Sequence, residues 1–115
     1  MRSTLLLIML WASFVCHAQS YKLFTTDEDL SSSLINHIYQ DSNGMIWVAT
    51  EDGLNRYDGA KFTTYKHNPE DAHSLSHNYV RRIFEDSKGH IYIGTHNGVQ
   101  VYNPATDTFS EKAIL

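Results

Sequence analysis

The side chains of this chain best suited to chemistry are its histidines and the carboxylates near them. Seven histidines stand at positions 17, 37, 67, 73, 77, 90 and 96. His67, His73 and His77 share the segment "KHNPEDAHSLSHN" with Glu70 and Asp71. Imidazole and carboxylate together can ligate a divalent metal, yet no pair here has the spacing of a preformed site. The simpler reading is a solvated polar connection. "DSNG" at 41–44 carries part of a calcium-loop pattern, without the further carboxylates and distal Glu that such a loop needs. Ser31, Ser32, Ser33, Ser74 and Ser76 stand where turns and strand starts favour small hydroxyl side chains. No nucleophile–base grouping stands out, so no catalytic, cofactor-binding or metal-ligating residue is assigned.

The start of the chain reads differently from the rest. "MRSTLLLIMLWASFVCHAQS" carries one positive charge, Arg2, then an apolar run and small residues at Cys16 and Ala18. That pattern is a secretory signal peptide over residues 1–18, cleaved after Ala18. Removing 18 of the 115 residues leaves 97 without cysteine, because Cys16 is the only one. Disulfides and cysteine-ligated metals are thereby excluded from the mature chain. The remaining 8 Lys and Arg face 13 Asp and Glu. They form no basic stripe, so nucleic acid is not an expected partner.

What must position any functional group is a repeat. Sliding the chain on itself by 45 residues aligns 30–59 with 75–104, with ten of thirty pairs identical. "DSNGMIWVAT" at 41–50 becomes "DSKGHIYIGT" at 86–95. A period in the forties points to propellers or helical arrays. Each unit breaks into short runs rich in Ile, Val, Tyr, Trp and Thr with turn residues between them, the signature of antiparallel strands. Asp41 and Gly44, repeated as Asp86 and Gly89, are expected to make one hairpin turn, and Gly53 and Gly98 the next. Trp47 and Tyr92 occupy matching positions, as do Tyr57 and Tyr102, and all four are expected to pack between neighbouring sheets.

The fold class expected is all-β, with about two four-stranded antiparallel propeller blades. Residues 30–74 form blade 1 and 75–115 blade 2. Residues 19–29 are read as an orphan outer strand of the closing blade, because "YKLF" at 21–24 resembles "FTTY" at 62–65. Rings hold about four to eight blades, so the chain reads as the N-terminal part of a larger propeller of about seven. The remaining blades are its expected partners.

The spans "SSSLINHIYQDSNGMIWVATEDGLNRYDG" and "SLSHNYVRRIFEDSKGHIYIGTHNGVQVYNP" resemble two-component regulator propeller repeats. Each keeps the D-x-x-G turn, the aromatic, the terminal Thr and the following Gly. The second keeps "LSHN", whereas the first has Ser33 in place of Asn. The resemblance implies the periplasmic sensor region of a membrane-anchored hybrid two-component system histidine kinase, homodimeric when whole and responsive to carbohydrate fragments. Loops 51–56 and 96–100 are the candidate ligand loops under that reading. Two other functions fit a propeller: a lyase or hydrolase working around a bound cation, and a secreted scaffold that binds proteins without signalling.

Overall fold

The computed structural model describes residues 30–111. The expected signal peptide (1–18) and orphan strand (19–29) lie outside those residues. Eight strands follow one another in chain order: β1 Ile35–Gln40, β2 Ile46–Thr50, β3 Gly53–Tyr57, β4 Phe62–Tyr65, β5 Val80–Glu85, β6 Ile91–Thr95, β7 Gly98–Asn103 and β8 Thr108–Glu111. They pair as two four-stranded antiparallel sheets, β1-β2-β3-β4 and β5-β6-β7-β8. Among the described residues there is no helix.

The two sheets repeat each other in detail. Ile38 faces Val48 across β1 and β2 as Ile83 faces Ile93 across β5 and β6. The first pairing of each sheet also shifts register at the same place, between Ile35 and His37 and between Val80 and Arg82. The hairpin turns follow from Asp and Gly. Gly44 and Gly89 adopt φ of +86° and +85°, a left-handed conformation that costs glycine nothing and other residues about 1 kcal/mol or more. Each donates its amide to the preceding Asp carbonyl, Gly44 to Asp41 at 3.0 Å and Gly89 to Asp86 at 3.1 Å.

A strand start preceding each sheet is tied down identically. The Ser31 amide donates to Asn55 Oδ1 at 3.2 Å, and the Ser76 amide to Gln100 Oε1 at 2.8 Å. The Ser31 hydroxyl meets that of Thr50 at 3.1 Å, and Ser76 meets Thr95 at 3.0 Å. Buried Thr50, Asn55, Thr95 and Gln100 thus find partners, as buried polar groups must.

The core lies between the sheets. β5 lies against β1 and β2. Trp47, Ala49, Leu54 and Tyr65 of the first sheet close over Ile83, Ile91, Ile93, Tyr102 and Phe109 of the second. Strand alternation places the other face of each sheet outward. There Ile38 is 59 % exposed and Phe84 39 % exposed.

Candidate functional site

At one end of the sheets stand the β1–β2 and β5–β6 turns, and each is built on an aspartate. Asp41 Oδ1 accepts the amides of Asn43 at 2.9 Å and Met45 at 3.0 Å. Its Oδ2 accepts the Trp47 indole N–H at 2.8 Å. Asp86 accepts the Lys88 and His90 amides, both at 2.9 Å, and the Tyr92 hydroxyl at 3.0 Å. The turn carboxylate therefore also fixes the aromatic six residues on, a coupling that the reading of the sequence missed. Its signal was present: both repeats place an aromatic with an N–H or O–H donor at that spacing. The Asp41 oxygens are directed at amides and an indole, a use that explains the "DSNG" motif without calcium. The His90 amide, with its ring and the Tyr92 hydroxyl, holds the Asp86 carboxyl well below the usual carboxylate range.

Between the sheets the aromatics gather. Trp47 meets Tyr102 edge-on at 4.9 Å and lies near-parallel to Tyr65 at 6.1 Å. Tyr65 meets Phe109 edge-on at 5.2 Å. The Arg56 guanidinium lies in the middle, 5.8 Å from the Trp47 ring, 5.9 Å from Tyr65 and 5.8 Å from Tyr102. It donates to the Tyr102 hydroxyl, and Asp107 stands 3.6 Å away. Tyr65 and Tyr102 both donate to Asp107 Oδ1, at 2.5 and 2.6 Å. Burial, then the bond to Asp107, pushes the Tyr65 phenol far above its ordinary value. Burial works the other way on Asp107, but the two hydroxyls and Arg56 outweigh it and keep that carboxyl low. Arg56 Nε is buried and has no hydrogen-bond partner among the described residues. The surrounding ring faces supply the attraction instead.

Of the four aromatics expected between sheets, Trp47 and Tyr102 meet there. Tyr57 and Tyr92 stand on the outer faces: Tyr57 packs on Phe62 at 4.9 Å, and Tyr92 stacks on Phe84 at 4.9 Å. Arg56 was not singled out in the sequence. Its counterpart is Val101, so repetition gave no signal for it.

The histidines are dispersed. His37 Nδ1 accepts the Ile83 amide across the sheets at 3.1 Å. His67 braces the connecting loop through Asn78 Oδ1 at 2.7 Å and Leu75 O at 2.8 Å. The His73 carbonyl accepts the Phe109 amide at 2.9 Å. His96 stacks on Tyr79 at 3.8 Å, with His77 at 5.6 Å. His90 pairs with Asp86 at 2.9 Å, and His17 lies outside the described residues. Among the described residues no three His, Cys, Asp or Glu side chains come together as a metal-holding group.

A cleft of about 250 Å³ opens between the sheets at the Asp41 and Asp86 turns, lined by Asn43, Met45, Arg56, His90, Ile91 and Pro104 among others. Of the expected ligand loops 51–56 and 96–100, residues 53–56 and 98–100 lie within β3 and β7, with Arg56 reaching the cleft, while the turns at 51–52 and 96–97 stand at the opposite end of the strands. There the Tyr79 hydroxyl bridges to Glu51 at 3.1 Å.

Two repeating four-stranded antiparallel sheets packed face to face are blades of a β-propeller. Residues 29–52 and 74–97 each match the family model described as "two component regulator propeller". The chain is 48 % identical over 56 residues to histidine kinase P4 of Formosa agariphila, covering 49 % of this chain and 4 % of that kinase. It superposes with a TM-score of 0.68 on the extracellular domain of BT3049 from B. thetaiotaomicron, described as a hybrid two component system. That match is 32 % identical and covers 78 % of this chain and 13 % of that one. The extracellular domain of BT4673 from the same organism gives a TM-score of 0.65 at 23 % identity, covering 80 % and 13 %, a likeness of fold. The chain thus spans a small part of each relative's length. Its two repeats are similar to those of the two-component regulator propeller family.

Proposed function

We propose that these blades are part of the ligand-sensing propeller of a hybrid two-component signalling protein, exported to the periplasm and anchored by a membrane helix elsewhere in the full protein. The propeller reads carbohydrate fragments, and these blades carry no catalytic step. The observation that supports this most is the coincidence of both repeats with the two component regulator propeller model, on a fold similar to an extracellular domain of a hybrid two component system. The chemistry of the described residues agrees with binding. The histidines and carboxylates serve turns, loops and sheet contacts, as hydrogen-bonding groups in a repeat scaffold do. Further blades of the same protein complete the ring, and two such proteins pair as a homodimer.

The test is calorimetric titration of the complete ectodomain with a panel of oligosaccharides. One of them is expected to bind and to raise the thermal midpoint by mass action. No heat and no shift with any of them would rule out sugar sensing. Activity that appears only with an added divalent metal would favour the enzymatic alternative.

A further inference from the structure

The seam between the blades shows what one sheet requires of the next. Where β5 meets blade 1, Glu85 accepts from three donors: the Ser42 amide at 3.0 Å, the Ser42 hydroxyl at 2.5 Å and the Tyr39 hydroxyl at 3.1 Å. Asn36 donates to the Val80 carbonyl at 2.7 Å, and His37 Nδ1 accepts the Ile83 amide at 3.1 Å. The same positions of blade 2, 45 residues on, lie on its outward side: Ser87, Phe84, Arg81 and Arg82. Ser87, Arg81 and Arg82 are exposed. The Ser87 amide makes no hydrogen bond among the described residues, and neither arginine makes an ion pair there.

Arg82 in the place of His37 reverses the polarity of the contact. An imidazole nitrogen can accept an amide, whereas a guanidinium has five donors and no acceptor. Two cations beside an open amide and hydroxyl call for negatively charged acceptors, and the carboxylate matches the guanidinium fork best. A second copy of this chain fits less well. The outward face of blade 1 has Gln40 at the place of Glu85, an uncharged amide. We infer that the outward face of blade 2 receives a further sheet of the complete protein whose first strand is acidic, one carboxylate held by Ser87 as Ser42 holds Glu85 and another facing Arg82. The inference rests on the reading of these blades as part of a longer propeller.

Hydrogen–deuterium exchange at the Ser87 amide of the complete ectodomain tests it, resolved by fragmentation mass spectrometry. The proteins are the unaltered one, Arg82→Gln, Arg82→Glu, Ser87→Ala and, as a control of equal charge change, Lys61→Glu at an exposed turn. Ionic strengths of about 0.01 and 1 M set screening lengths of about 30 and 3 Å. Exchange is expected to be slow in the unaltered protein and in Lys61→Glu. It should quicken about tenfold at that position in Arg82→Gln and Ser87→Ala, the equivalent of about 1.4 kcal/mol. Arg82→Glu should be faster still at low salt, and high salt should narrow its gap from Arg82→Gln. Slow exchange that ignores every substitution overturns the acidic class and leaves a covered face. Slower exchange in Arg82→Glu does the same and points to a basic partner. Protection lost on dilution assigns the face to a second copy and overturns the inference. Fast exchange in the unaltered ectodomain shows an uncovered face, and removes both the inference and the placing of blade 2 inside a longer ring. Should Arg82→Glu fail to fold, Arg82→Gln and Ser87→Ala decide.

Discussion

Asp86 shows how much one side chain sets here. Its carboxylate accepts two turn amides, an imidazole and a phenol, and all of these favour the charged form. A carboxyl held below its ordinary 3.8 stabilises the fold above that pH. The contribution is lost as pH falls from about 4 toward the lowered value, where the folded state must take up the proton. Asp58 and Asp107 are shifted in the same direction. Thermal unfolding followed against pH should therefore be flat near neutrality and fall below about pH 4, and Asp86→Asn should flatten that acid limb. Tyr65 acts at the other extreme. Its raised phenol pKa contributes stability that is complete below 10 and lost as pH climbs further. Tyrosinate absorbance should thus appear together with unfolding. Arg56 is a third case: its stem and guanidinium fill the space among three rings. Arg56→Ala should cost about 2 kcal/mol through lost packing and cation–π attraction, and Arg56→Met distinctly less because it keeps the volume. Chemical denaturation of the two variants compares them directly.

The β2–β3 hairpin is where an element depends most on a missing side chain. Gly53 has φ of +123°, and a Cβ placed there would stand 3.0 Å from the Tyr65 carbonyl oxygen and 3.2 Å from Ser31 Oγ. Its amide donates to Asn78 O at 2.6 Å, joining this turn to the loop that enters the second sheet. Gly53→Ala should destabilise by about 2–3 kcal/mol, from backbone strain and a backbone contact that cannot give way. Gly98 has φ of +95° but nothing within 4 Å of its would-be Cβ. Gly98→Ala should then cost clearly less. A difference in thermal midpoint between these two equivalent positions is the measurement, and equal losses would show that strain alone matters.

At the largest scale, the described residues form one buried seam and two outward faces. The inner seam packs Trp47, Leu54 and Tyr65 on Ile83, Ile93 and Phe109, all buried. The 45-residue repeat makes the outward face of blade 2, with Phe84 and Tyr92, the counterpart of the face of blade 1 that carries Tyr39 and Trp47. Ile38 on the far side of blade 1 likewise matches Ile83. Both outward faces are thus shaped for a neighbouring blade, and repeat proteins derive much of their stability from such neighbours. Residues 30–111 prepared alone should self-associate with rising concentration in sedimentation experiments. Ile38→Lys and Phe84→Lys should suppress that association, since each places a charge on a face that would otherwise be covered.

Sequence alone determined the all-β class, the two-fold repetition and the turns. These are local: Asp, Gly and alternating β-branched or aromatic residues act within a few positions of themselves, and duplication wrote each signal twice. The anchoring of Trp47 by Asp41 was present in the same ten letters, but an aromatic six residues after an aspartate does not by itself announce a hydrogen bond. Which aromatics meet was decided only by tertiary structure, because Trp47 and Tyr102 lie in different repeats and touch only where the two sheets stack. The same holds for Arg56 and Asp107, 51 positions apart, whose pairing exists only because two separate sheets bring β3 beside the β7–β8 loop. The cleft likewise belongs to neither repeat. It is the space left where two turns from different blades stand side by side, and distance along a chain carries no record of such a gap.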